Sequence, residues 1–173
     1  AQGEKRVAPS TNPSSVTGLI ASNKGPSSVK AVKGFGISIK NSKGQSLRAV
    51  ISLENAGGSR RFSSRENIDV SVGSYDLTIT PPASKVKSIR MFGVNCSSTL
   101  ELSYEDLHVD ELALDFAPGI KNIKKAFSID PSKIDFDHGL IDTVAQGSEL
   151  YKCKDYDFAT QTCNGGWAKH MDL

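Results

Sequence analysis

The sequence predicts an all-β fold, with two small antiparallel β-sandwich lobes behind an extended N-terminal arm. Three observations support this. Apolar residues alternate with polar ones over most of the chain after Val29. Gly and Pro punctuate the alternating runs at intervals of roughly 8–12 residues, the rhythm of short strands and turns. The opening stretch, AQGEKRVAPSTNPSSVTGLIASNKGPSS, is instead rich in Ser, Pro, Gly and Asn. The expected division is an arm at 1–28, a first lobe at 29–94 and a second lobe at 95–173.

The arm holds too few apolar groups to offset an ordering cost of about 1–2 kcal/mol per residue. It is expected to be held only by docking, along its own body or on a neighbouring copy. Val16, with Leu19 or Ile20, is the best candidate for side chains entering a groove.

In the first lobe, Phe35, Ile37 and Ile39 alternate with small or polar residues, Asn41–Gly44 supplies a turn, and Leu47, Ala49, Ile51 and Leu53 alternate again. This predicts a hairpin with one buried face. Ile68, Val70 and Val72, then Tyr75, Leu77 and Ile79 after Gly73-Ser74, repeat the signal until Pro81-Pro82 ends it, because proline cannot donate to a ladder. Val86, Ile89, Phe92 and Val94 form a further strand of less regular phase. The stretches GQSLRAVISL and VSVGSYDLTIT, with their x-Gly-x-Tyr turn, resemble the transthyretin-like or carboxypeptidase regulatory-like modules of secreted proteins over about residues 35–94. The resemblance implies an Ig-like/transthyretin-like sandwich.

In the second lobe, alternating Leu residues in STLELSYEDL and VDELALDFAPGI are followed by expected strands around Ala126–Ile129 and Leu140–Ala145. Tyr104–Leu114 fits a period of 3.6 about as well as one of two and is assigned a short helix.

Composition narrows the function. The 173 residues suffice for one large or two small domains, and 38% hydrophobic content is adequate for a core. A net charge of +2, from 21 basic and 19 acidic residues that are well spread, is too small for a nucleic-acid footprint. No apolar run approaches the roughly 18 residues that cross a bilayer, so membrane insertion is not expected. The chain opens without a charged and apolar leader, as a mature form with its signal peptide removed would.

The cysteines bear on compartment. Cys153 and Cys163 are separated by nine residues, Cys96 is remote, and His170 is the only nearby imidazole, a poor set for four-ligand zinc. The Cys-x-x-Cys spacing of a redox pair is absent. A disulfide or two unrelated buried thiols remain, and the polar loop from Lys154 to Thr162 favours the disulfide, worth roughly 2–3 kcal/mol. A disulfide implies an oxidising location. The segment ELYKCKDYDFATQTCNGGWAKHMDL, with AFSIDPSKIDF upstream, resembles a Cys-bearing block of large predicted surface proteins of archaea. That resemblance implies an exported archaeal surface protein, either a shortened relative or a processed piece of one. It implies no activity.

Other candidates are weaker. Asn95-Cys96-Ser97 is the single N-glycosylation acceptor, since Pro13 disqualifies Asn12. Asp135, Asp137 and Asp142, around His138-Gly139, resemble the start of a calcium loop without its later ligands, and solvated turn residues are the plainer reading. His108, His138 and His170 are isolated, and no nucleophile motif accompanies them. Trp167 either stacks on a sugar or covers the disulfide.

The expectation is therefore an extracellular, non-enzymatic structural subunit without cofactor. It assembles with identical copies into a pilus-like filament or surface layer by strand exchange through its arm. The alternative is a glycan- or calcium-dependent adhesion module of a larger surface protein.

Overall fold

A computed structural model describes residues 30–173 apart from Ala83 and Leu114. The expected arm, with Val16, Leu19 and Ile20, lies outside the described residues. Those residues form an all-β, sandwich-like fold of short strands.

In chain order the strands are β1 (Ala31–Phe35), β2 (Ile37–Lys40), β3 (Val50–Asn55), β4 (Gly58–Ser63), β5 (Ile68–Ser71), β6 (Ser74–Thr80), β7 (Val86–Asn95), β8 (Leu100–Leu107), β9 (Ala126–Asp130), β10 (His138–Thr143), β11 (Glu149–Lys152), β12 (Tyr156–Asp157), β13 (Thr162–Cys163) and β14 (Ala168–Asp172). One sheet has the order β10-β7-β6-β3-β4, antiparallel throughout. Across the core lie the β1-β5 pair and the β2-β8-β9 sheet.

β1 and β2 form one path that changes neighbour. β1 runs antiparallel to β5 until a register shift between Val32 and Phe35, where Gly34 takes φ +63° and its N–H donates to Asp69 Oδ1 at 3.0 Å. At Gly36 the Asn67 carboxamide oxygen comes to 2.4 Å from where a Cβ would lie, so a larger residue there would have to displace the Asn67 side chain. Beyond it, β2 runs parallel to β8.

The hairpin expected from Phe35–Ile39 and Leu47–Leu53 does not form. β2 and β3 lie in different sheets and keep only Leu47 N–H to Ile39 O, 2.8 Å, and a bridge between Lys40 and Ser46. Asn41 Oδ1 organises the corner between them by accepting from the N–H groups of Lys43 and Gln45 at 3.0 and 2.9 Å. β5 and β6 likewise change sheets across Gly73. Each run keeps a buried face, although Val72 is 42% exposed and Met91 is buried where Phe92 was expected, and those faces meet across the core instead of side by side.

The core joins Phe35, Ile37, Ile51, Leu53, Leu77, Ile79 and Val94 to Leu100, Leu102, Tyr104 and Ile134. It therefore crosses the boundary expected after Val94, which falls inside β7, and β10 pairs with β7 in the same sheet. The reason is packing: the face presented by β3, β6 and β7 is covered by β2 and β8. The sandwich runs to Thr143, and the smaller C-terminal part carries β11–β14. The helix expected at Tyr104–Leu114 is corrected as well. Tyr104 is buried in β8 opposite Ile129, so the two-residue period prevails, and only a 3-10 turn at Val109–Glu111 follows.

Candidate assembly interface

The five-stranded sheet has two edges, and they differ in chemistry. Core-side residues align in rows across the strands. One row reads Phe62, Ile51, Ile79, Ile89, Ile141, and the next reads Arg60, Leu53, Leu77, Met91, Gly139. At the β4 edge Phe62 is buried, and the second row ends in exposed Arg60, with Arg61 exposed beside it. Charge on an edge, and core-side charge above all, discourages pairing with another chain.

The β10 edge lacks that protection. In the isoleucine row the inner members are at most 3% exposed, yet Ile141 is 50% exposed. On the outer face the row Arg61, Ser52, Thr78, Arg90 is polar until it reaches Leu140, which is 48% exposed. Successive strand residues point to opposite faces. Exposure of Leu140 and Ile141 together therefore means that neither face of β10 is covered. Among the described residues β10 pairs only with β7, and Asp142 is its only carboxylate.

β10 is nonetheless firmly held on its β7 side. At its start Asp137 N–H donates to Phe92 O at 2.8 Å, the Asp137 carboxylate lies over Gly93, which has φ +71°, and the rings of His138 and Phe92 stack with centroids 4.5 Å apart. At its end the Lys125 ammonium donates to Val144 O at 2.6 Å and to Thr143 Oγ1 and Lys85 O, each at 3.2 Å. Thr143 Oγ1 in turn donates to Lys85 O at 2.7 Å. Such an edge is fixed in extended geometry while, among the described residues, no strand lies on its outer hydrogen-bonding side, which is the arrangement that accepts one.

The C-terminal part is closed by the Cys153–Cys163 disulfide, with Cα atoms 6.0 Å apart. Trp167 Nε1–H donates to Phe116 O at 2.8 Å, and its ring lies 5.2 Å from that of Phe116 and 6.5 Å from that of Tyr156. Trp167 therefore packs in an aromatic cluster. Gln161, in the left-handed region at φ +56°, donates from Nε2 to Ser42 Oγ at 3.1 Å and to Glu105 Oε2 at 3.0 Å. It latches the disulfide-closed hairpin onto the sandwich. Tyr156 OH and Ser128 Oγ are buried, and among the described residues neither has a hydrogen-bond partner. Burial, then the charge of Glu105, pushes the Tyr156 phenol's pKa up.

The remaining candidates are dispersed. Asp135, Asp137 and Asp142 are all exposed, Asp142 opposite Ser88 on β10, and the described residues contain no group of three His, Cys, Asp or Glu placed to hold a metal ion. Asn95 ends β7 with its side chain exposed, as is Ser97, whereas Cys96 between them is fully buried and its thiol is pushed up to about 11 by that burial. His108 lines a groove of about 530 Å³ with Lys43, Arg48 and Asp106. There Asp106 Oδ1 accepts from Tyr104 OH at 2.5 Å, and both Asp106 oxygens accept from Lys85 N–H at 3.2 and 3.3 Å, tying β8 to the start of β7. The described residues contain no helix long and apolar enough to cross a membrane.

Sequence reasoning missed the β10 edge, the Lys125 clamp and the Gln161 latch. Adjacent Leu140 and Ile141 in HGLIDT, which break the alternation of a strand with one wet face, were the available signal for the first. No protein-family model, curated protein or solved structure matches the chain.

Proposed function

We propose that the chain is a non-enzymatic subunit of an extracellular filament or surface layer, assembled by strand exchange: the arm of one copy adds to the β10 edge of the next. The observation that carries this reading is the uncovered apolar edge, with Ile141 and Leu140 about half exposed at the ends of otherwise complete rows. A strand added there gains main-chain hydrogen bonds for affinity and alternate side chains for register. An arm at one end of the subunit and an acceptor elsewhere make a head-to-tail contact, which propagates into a fibre or sheet unless its rotation closes. The disulfide supports an oxidising compartment, hence export.

The test is electron microscopy and light scattering on the full chain beside a chain beginning at Val29. Filaments or sheets from the full chain, and single particles from the shortened one, are expected. Equal assembly of both, or monodisperse particles from both, overturns the reading.

A further inference from the structure

We propose that residues 16–21 of one copy pair antiparallel with β10 of the next in a single register, Gly18 opposite Ile141 and Leu19 opposite Leu140. This rests on the strand-exchange reading and deepens it by naming the mating surfaces.

The register follows from the shape of the open rows. On the core side β10 presents Gly139, Ile141 and Thr143, since their β7 partners Met91, Ile89 and Val86 are buried. It offers a glycine flanked by Arg90 O and the Phe136 ring, then a knob, then a medium side chain. On the outer side it presents His138, Leu140 and Asp142. The segment VTGLIA carries two alternating sets, Val16, Gly18 and Ile20 on one face and Thr17, Leu19 and Ala21 on the other. The first set has the complementary sequence of knob, hole, knob. No other six-residue stretch of the arm places two β-branched aliphatic residues around a glycine at strand spacing.

With Gly18 opposite Ile141, Ile20 falls opposite Gly139 and Val16 opposite Thr143. Ile20 then extends the Leu53, Leu77, Met91 row over Gly139, where the Phe136 ring edge lies 3.5 Å from the position a Cβ would take. A bulky cross-strand neighbour covering an edge glycine stabilises a sheet. Gly18 leaves room for Ile141, and the isoleucine row is closed by main chain. A shift of two residues brings Gly18 against Gly139 or Thr143 and drives a second β-branched side chain onto Ile141. A shift of one residue turns Val16 and Ile20 outward to the polar row. Running the segment parallel keeps Gly18 against Ile141 and exchanges the places of Val16 and Ile20, but sets Leu19 against Asp142. Only the antiparallel register also joins Leu19 to Leu140, the one apolar residue on the outer face of β10. The segment bears no charge, so Asp142 meets the Thr17 hydroxyl instead of a like charge.

Directly opposed residues of an antiparallel pair have Cα atoms about 4.5–5.5 Å apart, within disulfide range, whereas diagonal neighbours two residues away fall outside it. The full chain is therefore made as three single variants, Leu19→Cys, Leu140→Cys and Thr17→Cys. Native Cys96 is fully buried and does not compete. Under mild oxidation a mixture of the first and second should give an inter-copy dimer as the major product, and a mixture of the third and second should not. Preferential cross-linking of Thr17→Cys to Leu140→Cys in material that still assembles overturns the register while leaving strand exchange in place. A Leu19→Cys/Leu140→Cys double variant that closes within one chain, with no product from the mixture, overturns both. Native-like assembly with no cross-link from either mixture moves the arm's contact away from β10 and overturns the proposal.

Discussion

Replacing Ile141 with lysine separates the edge's role in the single subunit from the role proposed for it between subunits. Ile141 is 50% exposed, so about half of the 1.5–3 kcal/mol available from burying such a side chain is realised in the isolated fold. The free subunit should lose about 1 kcal/mol, a fall in Tm of about 2–4 °C for a chain of this size. Between copies the loss is larger. The other half of that apolar burial, about 1 kcal/mol, disappears from each junction, and an ammonium without a carboxylate partner adds about 2 kcal/mol or more. Snorkelling of the lysine stem toward water holds the total near the lower end. A sum of about 3 kcal/mol weakens each junction roughly a hundredfold. Sedimentation velocity over a concentration series reads this as a shift in the onset of assembly, and thermal unfolding reads the small change in the subunit. Ser59→Lys on β4, whose edge already carries Arg60 and Arg61, is the matched control and should leave the onset unchanged. An Ile141→Lys protein that assembles at the native concentration would refute the assignment of β10 as acceptor.

Trp167, the only tryptophan, sits in the aromatic cluster beside the disulfide-closed hairpin. Reduction, or Cys153→Ser with Cys163→Ser, should lower the temperature of the Trp167 fluorescence transition, with a loss of roughly 2–3 kcal/mol, while the far-ultraviolet signal of the sandwich melts later. Coincident transitions would mean that the C-terminal part is not separable. Gln161→Ala removes the bonds to Ser42 and Glu105 and should cost about 1.5–3 kcal/mol of docking, seen as faster hydrogen exchange over residues 153–167; unchanged exchange would show that the latch contributes nothing. Glu101 is held down to about 2 by its hydrogen bonds to Lys133 at 2.5 Å and Lys40 at 2.7 Å. Its contribution is therefore present above the unfolded value near 4.5 and is lost as pH falls from there toward 2. Glu101→Gln should flatten the Tm-against-pH curve in that window, and an unaltered slope would count against the ion pairs.

The sequence carried the fold class and most strands, because alternation reports directly which side chains are buried. Ile51, Leu53, Leu77 and Ile79 are all fully buried, as their spacing requires. It did not carry the neighbours of those strands. The same alternation in Phe35–Ile39 and Leu47–Leu53 suits a hairpin and a crossing between sheets equally well, and the choice is made by long-range pairing of β2 with β8 and of β3 with β6. The ambiguity at Tyr104–Leu114 has the same origin, since Leu107 and Leu112 satisfy either period and burial of Tyr104 opposite Ile129 settles it. The disulfide was legible from two cysteines flanking a polar loop. Asp135, Asp137 and Asp142 are near in sequence but dispersed in the structure, because closeness along an extended chain does not aim carboxylates at one point. The open edge depends on which strand ends a sheet, a property of topology that leaves only the adjacent Leu140 and Ile141 as its trace.

Hydrogen exchange resolved along the chain, compared between assembled full-length protein and the chain beginning at Val29, tests strand addition to β10 most directly. The outward-facing amides of residues 138–143, those that do not bond to β7, should be protected in the assembled protein and exchange rapidly in the shortened one, while the β4 edge at residues 58–63 exchanges alike in both. Equal exchange at β10 in the two samples, or protection that appears at β4 instead, would contradict it.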